Sequence, residues 1–241
     1  MNLVLDIGNT NVKWAIFDKN EMIKFNYCKQ LSTVYLEKIL SKNPKINTVC
    51  IASQLGDIFE IKNLCIKYNL RYLSLQFSSK IPIENHYKSP KTLGLDRIAL
   101  AVGAAKIYPG NKLIIDFGTC ITYDIVLGDN YMGGQISAGI ETRLDSLSSS
   151  TKNLPKLEFK NIDYMIGDTT NKGILLGVND SIIFEVNGVI EKYKSRYPNI
   201  KTIITGGDLK MIKGKLKNIN FINPYLLMEG LNYIIAFNNE K

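Results

Sequence analysis

One strand–loop–strand pattern occurs twice in the sequence, and the two copies lie 110 residues apart. Residues 3–9 (LVLDIGN) and residues 113–119 (LIIDFGT) both run from three apolar residues into Asp-x-Gly. Each copy is followed by a second β-rich stretch, at residues 12–17 and 121–127, which ends at a turn-forming segment. Because Asp and Gly match at matched places, duplication explains the pattern better than chance similarity between two apolar strands. The repeat therefore predicts two similar halves, each containing one such hairpin.

The rest of the sequence fits an α/β fold in two domains. A chain of 241 residues suits one large domain or two small ones, and the break at residues 109–111 (PGN) is the best boundary. We therefore predict an N-terminal domain of residues 1–110 and a C-terminal domain of residues 111–241. Helix-period apolar patterns occupy residues 34–40, 58–68, 97–107, 173–193 and 225–237, and strand patterns occupy residues 47–52, 72–75 and 202–204.

Composition restricts the partners and the cellular location. Thirty Lys and Arg against 22 Asp and Glu give a net charge of +8, which favours anionic partners without choosing among them. The four cysteines form no C-x-x-C pair and there is one histidine, so a structural zinc site is not expected. No basic segment followed by an apolar one opens the sequence, and the uncharged runs are far shorter than the roughly 20 residues of a membrane helix. We expect a cytoplasmic protein that binds neither membranes nor nucleic acid.

The loop after the first strand has the residue types of a phosphate-binding turn. Gly8 lets the backbone approach a ligand closely, and the side chains of Asn9 and Thr10 can hold phosphate oxygens. Asp6 at the strand end can hold Mg²⁺, and Lys13 can reach the same anion. A single loop of this kind fits a tight hairpin turn with a solvated Asp equally well. The second copy favours the phosphate-binding interpretation.

Two further segments have the character of ligand-binding sites. Residues 205–208 (TGGD) follow a late strand, and adjacent glycines allow a flat group such as a nucleoside to approach closely. Residues 94–97 (GLDR) open an apolar helix, and helix N-termini attract anions. There Asp96 and Arg97 place a base and a cationic clamp in adjacent positions. A capping Asp with a solvated Arg is the alternative interpretation of this segment.

Two phosphate loops followed by a late Gly-Gly loop resemble the superfamily of acetate and sugar kinases, Hsp70 and actin. This resemblance implies two ribonuclease-H-like (actin-like ATPase) domains with ATP bound between them. More narrowly, seven motifs in order resemble the type III pantothenate kinase family. They are residues 6–10 (DIGNT), Tyr87 with residues 93–97 (LGLDR), 116–119 (DFGT), 133–136 (GGQI) with Gly139, 154–155 (LP), 167–170 (GDTT) and 206–208 (GGD).

The family resemblance implies ATP-dependent phosphorylation of pantothenate to 4′-phosphopantothenate, the first step towards coenzyme A. It makes Asp96 the general base for the pantothenate hydroxyl, Asp6 a residue near Mg²⁺, and Asp116 the ligand of an activating monovalent cation, K⁺ or NH₄⁺. The pantothenate pocket would be lined by Tyr87, Gly94, Leu95, Asp96, Arg97 and Thr170. ATP would be bound by Asp6, Ile7, Gly8, Asn9, Thr10, Asn11, Val12, Lys13 and Thr119. The resemblance also implies a homodimer in which the neighbouring subunit completes the acceptor pocket.

Three other functions fit part of the pattern. A ribonuclease-H-like nuclease would use clustered carboxylates and a basic surface, but Asp6, Asp96 and Asp116 lie in Gly-rich loops suited to phosphates. A non-catalytic regulator on the same scaffold would be favoured by loss of Asp6 or Asp96, and both are present. A sugar-type kinase of the superfamily is the nearest competitor, although the zinc-binding cysteine motif of many repressor-type sugar kinases is missing.

Overall fold

The computed structural model describes residues 1–8, 11–53, 58–209 and 214–239. These residues form two compact units. The first unit contains residues 1–109, 129–131 and 225–239, and the second contains residues 110–128 and 132–224. The division into domains at residues 110 and 111 stays a prediction. The C-terminal helix belongs to the first unit, although the residues before it along the chain belong to the second.

The first unit is built on a five-stranded sheet with the order β3-β2-β1-β4-β5. Its strands are β1 (Asn2–Ile7), β2 (Val12–Asp18), β3 (Glu21–Cys28), β4 (Thr48–Ser53) and β5 (Arg71–Ser74). β1 pairs antiparallel with β2 on one side and parallel with β4 on the other. The first strand is therefore central, and its carboxyl end opens directly into the predicted phosphate loop.

Helices cover both faces of this sheet. They are α1 (Thr33–Lys42), α2 (Phe59–Lys67) and α3 (Leu95–Ile107), together with the C-terminal helix, here called α6 (Leu226–Asn239). Side chains alternate along a strand, so Leu3 and Leu5 point to one face, where they form a core with α1 and α2. α6 contacts β1 and β4 and packs along α3. The central strands are thus buried on both faces, as their continuous apolar sequences require.

The second unit repeats the strand order of the first. Its strands are β7 (Lys112–Phe117), β8 (Cys120–Leu127), β9 (Asn130–Ala138), β10 (Lys201–Thr205) and β11 (Phe221–Ile222). β7 pairs antiparallel with β8 and parallel with β10, and the order β11-β10-β7-β8-β9 is that of the first sheet with β7 in the place of β1. The duplicated hairpin predicted from the sequence is therefore confirmed.

Two helices, α4 (Ile140–Ser150) and α5 (Thr170–Arg196), pack on one face of the second sheet. α5 is long and apolar enough to cross a membrane by length and composition alone. Its buried side chains, among them Ile182 and Val186, belong to the core that Leu113 and Ile115 of β7 also form. One face of α5 is thus buried in the core of its own unit.

The first unit also contains a short parallel pairing with residues 129–131. β6 (Glu84–Asn85) pairs with Asn130 and Tyr131 at the start of β9. The N–H of Glu84 donates to the Asp129 carbonyl at 3.0 Å, and the N–H of His86 donates to the Tyr131 carbonyl at 2.9 Å. A 3₁₀ turn, Pro90–Thr92, then leads into α3.

The contact between α3 and α6 depends on two glycines that face each other. A Cβ at Gly230 would collide with the carbonyl oxygen of Ala99, and a Cβ at Gly103 would lie 2.6 Å from the carbonyl oxygen of Leu226. Both obstacles are backbone atoms, which cannot rotate away as the end of a side chain does. The two helices therefore lie closer together than side chains at these positions would permit.

Gly230→Ala is expected to lower the free energy of unfolding by at least about 2 kcal/mol, because the added methyl group must separate the helices. Gly177→Ala is the matched control, since a Cβ there meets nothing within 4 Å in the interior of α5. The control should raise the free energy of unfolding by about 0.5–1 kcal/mol. Urea titrations of both variants measure the effect. Equal stability of the two variants would show that the close contact is absent.

Candidate active site

Asp6 lies at the end of β1, where the strand turns back into β2. It is the register partner of Lys13, and its carboxyl group interacts electrostatically with that of Asp96. Burial raises the pKa of Asp6 to about 6; Lys13 opposes this rise and Asp96 adds to it. The Gly8 N–H donates to the Asn11 carbonyl at 3.2 Å and closes the loop between the strands. Asp6 at the start of the loop predicted to bind phosphate is therefore near one amine, that of Lys13, and a second carboxylate, that of Asp96.

Asp96 occupies the first turn of α3. Its Oδ1 atom accepts a hydrogen bond of 2.9 Å from the backbone N–H of Arg97. A Cβ at residue 94 would collide with this same oxygen, so Gly94 leaves the space into which the carboxylate of Asp96 fits. The free N–H groups at the start of a helix attract negatively charged groups, and the Asp96 side chain lies among them.

Aromatic rings hold Arg97 beside Asp96. The guanidinium carbon of Arg97 lies 5.7 Å from the ring centroid of Tyr87, and that ring lies 6.3 Å from the ring of Tyr131. Arg97 is buried, and Tyr131 is fully buried at the start of β9. Tyr131 had no place among the predicted site residues. The sequence offers one indication of Tyr131, which is that an aromatic residue follows the turn of the second hairpin.

A cavity of about 680 Å³ adjoins the N-terminus of α3. Its walls include residues at the carboxyl ends of two parallel strands, Ser53 from β4 and Leu75 after β5, together with Phe77 and residues 93–95. Ligands of open α/β sheets bind at the carboxyl ends of parallel strands. The cavity thus lies in the expected position for a small molecule, and Gly94 and Leu95 are shared with the predicted pantothenate pocket.

In the second unit, residues 116–119 form the matching loop between β7 and β8. The Gly118 N–H donates to the Cys120 carbonyl at 3.1 Å. The carbonyl oxygen of Thr119 accepts hydrogen bonds from the Gly139 N–H at 3.0 Å and from Thr142 Oγ1 at 2.7 Å. A Cβ at residue 139 would collide with the carbonyl of Gly118. The start of α4 therefore holds this loop through its backbone, while the Thr119 side chain stays exposed.

The Gly-Gly loop after β10 packs against the same strand end. Gly206 has a φ of +107°, and a Cβ there would collide with backbone atoms of Phe117. Glycine is required at this position for both reasons. The Asp208 N–H donates to the Phe117 carbonyl at 3.1 Å. Two of the predicted ligand loops of the second unit are thus in direct contact.

The predicted site residues fall into two groups. The first unit contains Asp6, Ile7, Gly8, Asn11, Val12, Lys13, Tyr87, Gly94, Leu95, Asp96 and Arg97. The second unit contains Asp116, Thr119 and Thr170. Thr170 is exposed in the first turn of α5, after the cap residue Thr169. Asn9 and Thr10 lie outside the described residues.

Comparisons with known proteins identify the family of this chain. The profile of the type III pantothenate kinase family matches residues 2–192. A type III pantothenate kinase of Christiangramia forsetii is 41% identical over 244 residues, which cover 100% of both chains. Another, from Flavobacterium johnsoniae, is 38% identical over 96% of both chains. The chain belongs to the type III pantothenate kinase family.

Membership in this family confirms the predicted activity. The chain is a kinase, and the activity of its family is the ATP-dependent phosphorylation of pantothenate in coenzyme A biosynthesis. A solved structure from Campylobacter jejuni, described as a Baf family transcriptional activator, has a TM-score of 0.62 at 20% identity and covers 99% of this chain and 100% of its own. That likeness supports the fold, and the predicted actin-like class is confirmed.

The raised pKa of Asp6 predicts how stability changes with pH. Between the ordinary value of 3.8 and about 6 the unfolded chain has lost this proton while the folded chain retains it. The free energy of unfolding of the metal-free and nucleotide-free protein should therefore fall as pH rises through this window, by up to about 3 kcal/mol from this group. Asp6→Asn should lack this fall, so its stability relative to wild type should increase from pH 4 to pH 7.

Denaturant titrations at several pH values measure this difference. Asp18→Asn is the control, because Asp18 is exposed at the end of β2 in the same unit. Its stability profile should run parallel to that of wild type. A parallel profile for Asp6→Asn as well would contradict the raised pKa.

Proposed function

We propose that this chain transfers the terminal phosphoryl group of ATP to the 4′-hydroxyl of pantothenate, with Asp96 as the general base. The placement of Asp96 carries the proposal. Asp96 lies at the start of α3, directly after the cavity-lining residues Gly94 and Leu95 and next to the buried Arg97, and its charge acts on the carboxyl group of Asp6. Phosphoryl transfer needs positioned charges more than covalent chemistry, and this group of residues supplies them.

Arg97 and Tyr87 are proposed to hold the acceptor. Pantothenate is a carboxylate with a hydroxyl at its other end, so its recognition needs a cation and its reaction needs a base. The stacked and buried guanidinium of Arg97 is fixed in orientation, which suits recognition of an oxyanion better than a mobile lysine does. Asp96 accepts the hydroxyl proton, a transfer that contributes about 10²–10⁴-fold in typical enzymes.

Nucleotide binding is assigned to the two hairpin loops. In the first loop, the Gly8 N–H donates to the Asn11 carbonyl and Lys13 is the register partner of Asp6. In the second loop, Thr119 has an exposed side chain and a backbone carbonyl that accepts two hydrogen bonds. Backbone N–H groups in tight turns bind phosphate oxygens. Asn9 and Thr10 remain predicted ATP contacts by resemblance only.

Two cation sites belong to the proposal. The charge of Asp96 acts on the partly buried Asp6, and a divalent cation would offset two neighbouring carboxylates. Asp6 would hold Mg²⁺, which neutralises phosphate charge when bound. In the second unit Asp116 is the register partner of Thr122, whose buried Oγ1 atom has no hydrogen-bond partner among the described residues. A carboxylate beside an unsatisfied hydroxyl oxygen fits K⁺ or NH₄⁺, and Asp116 would hold that ion.

A homodimer also belongs to the proposal. The second unit exposes several large apolar side chains, namely Met132, Ile136, Met165, Ile166 and Phe184. Exposed apolar surface is commonly covered by a partner. Thr170, exposed at the start of α5 in the same unit, would then reach the acceptor pocket of the neighbouring subunit. A cytoplasmic location stays a prediction.

No observation favours the competing functions over this one. The structural likeness to the Campylobacter jejuni activator is at 20% identity and supports the fold alone. Both carboxylates whose loss would have favoured a regulator, Asp6 and Asp96, are present, and the charge of Asp96 acts on Asp6. The family match also separates the chain from sugar-type kinases and from nucleases.

Asp96→Asn should fold and bind ATP like wild type but lose about 10²–10⁴-fold in turnover, because the amide cannot accept the hydroxyl proton. Calorimetric titration with ATP and a steady-state kinase assay measure the two properties. Asp18→Asn, an exposed position in the same unit, should leave both unchanged. If Asp96→Asn retained a rate near that of wild type, the role of Asp96 as the base would be refuted.

Asp116→Ala should lose the activation of turnover by K⁺ or NH₄⁺, because the carboxylate that would hold the ion is gone. The assay compares rates across a series of KCl concentrations, with NaCl keeping the ionic strength constant. Asp163→Ala, an exposed position in the second unit, serves as the control and should keep the wild-type response. An unchanged potassium response in Asp116→Ala would show that the cation binds elsewhere.

A further inference from the structure

We propose that Arg143 is a positioning residue that keeps the loop of residues 116–119 in the conformation that binds nucleotide. This inference rests on the proposed function, in which that loop contacts ATP. Arg143 lies in α4 and was not among the residues predicted from the sequence. Its side chain contacts none of the residues predicted to bind a ligand. It acts through the backbone to which the loop is hydrogen-bonded.

The guanidinium of Arg143 is mostly buried and uses all three of its nitrogens. Nε donates to the carbonyl oxygen of Ala138 at 2.8 Å. Nη1 donates to Ser181 Oγ at 3.1 Å, and Nη2 donates to Ser137 Oγ at 2.7 Å. Nη2 also forms an ion pair with Glu185 of α5. One side chain thus joins the end of β9, the start of α4 and the middle of α5.

Glu185 completes the network from the side of α5. It pairs with Arg143 and accepts a hydrogen bond of 2.6 Å from the Tyr123 hydroxyl, which comes from β8. Burial alone would raise the pKa of Glu185, but hydrogen bonds from Tyr123, Arg143 and Ser137 lower it below its ordinary value. The carboxylate is therefore charged and fully engaged, and the pair is anchored on two other elements of the second unit.

The network reaches the loop through two backbone steps. Arg143 fixes the carbonyl of Ala138, and the next residue, Gly139, donates its N–H to the carbonyl of Thr119 at 3.0 Å. The residue before Arg143, Thr142, donates its hydroxyl to the same carbonyl at 2.7 Å. The Arg143 N–H in turn donates to the Gly139 carbonyl at 3.0 Å. Displacement of Arg143 would therefore release both hydrogen bonds that hold Thr119.

An arginine suits this position better than a lysine. Its planar group presents five donors in a fixed arrangement, so it can serve a carbonyl, two hydroxyls and a carboxylate at once. A lysine would keep the charge opposite Glu185 but lose most of the other bonds. Arg143→Lys therefore separates the charge of the residue from its geometry.

The experiment measures nucleotide binding and steady-state kinetics for Arg143→Lys and Arg143→Met. ADP is titrated into the full-length protein without pantothenate, and the KM values for ATP and pantothenate are then determined. We expect an increase of about tenfold or more in the Kd for ADP and in the KM for ATP, the effect of losing one hydrogen bond to a charged group. The KM for pantothenate should stay within about twofold.

Arg196→Lys and Arg196→Met are the matched controls, because Arg196 is exposed in the last turn of α5 in the same unit. They should change none of these constants. If Arg143→Met does not fold, Arg143→Lys alone carries the test, since the charge opposite Glu185 is kept. Unchanged nucleotide constants in Arg143→Lys, or equal changes in the KM values for both substrates, would overturn the proposal.

The test is separate from that of the proposed function, because ADP binding is measured without the acceptor. A wild-type protein that binds ADP but does not phosphorylate pantothenate would refute the proposed function and leave this test intact.

Discussion

The structure of each unit depends on one central strand that is hydrogen-bonded on both sides. β1 and β7 each pair antiparallel with the strand that follows and parallel with a strand from later in the chain. Both edges of these strands are hydrogen-bonded and their central residues are fully buried, which agrees with their apolar sequences. The loop that leaves each strand is consequently anchored at its start and at its return. A short Asp-x-Gly segment can therefore hold a carboxylate and backbone N–H groups in fixed places without a large loop.

The elements that could be predicted from the sequence are those whose residues are buried. β1, β4, β7 and β10 were visible as apolar runs, and α3, α5 and α6 as apolar helices. The strands that follow the two hairpins, β3 and β9, were not predicted. β3 is largely exposed and its burial does not alternate along the strand. α4 was missed because only Ile140 and Leu144 are buried on a helix with many serines. The return of α6 to the first unit follows from a contact between glycines, which no local pattern reports.

The candidate site shows the same division between residues predicted to bind a ligand and residues that support them. Resemblance indicated Asp6, Asp96, Arg97 and Asp116, since these residues stand in motifs that follow one another in the order of the family. Tyr131 and Arg143 belong to no motif of that kind, and their importance follows from three-dimensional contacts alone. Tyr131 packs behind the ring that covers Arg97, and Arg143 connects three elements behind the second loop. Residues that act through other residues are therefore the part of such a site that a sequence reveals last.

The most direct test of the account is the release of ADP from Mg-ATP by the purified protein, measured with and without pantothenate and with and without K⁺. Mass spectrometry of the product would identify the acceptor. We expect ADP release that requires pantothenate, yields a product heavier by one phosphoryl group, and increases with K⁺. A folded protein that binds ATP but forms no phosphorylated pantothenate under any of these conditions would contradict the assignment of Asp96 and Arg97 to this acceptor.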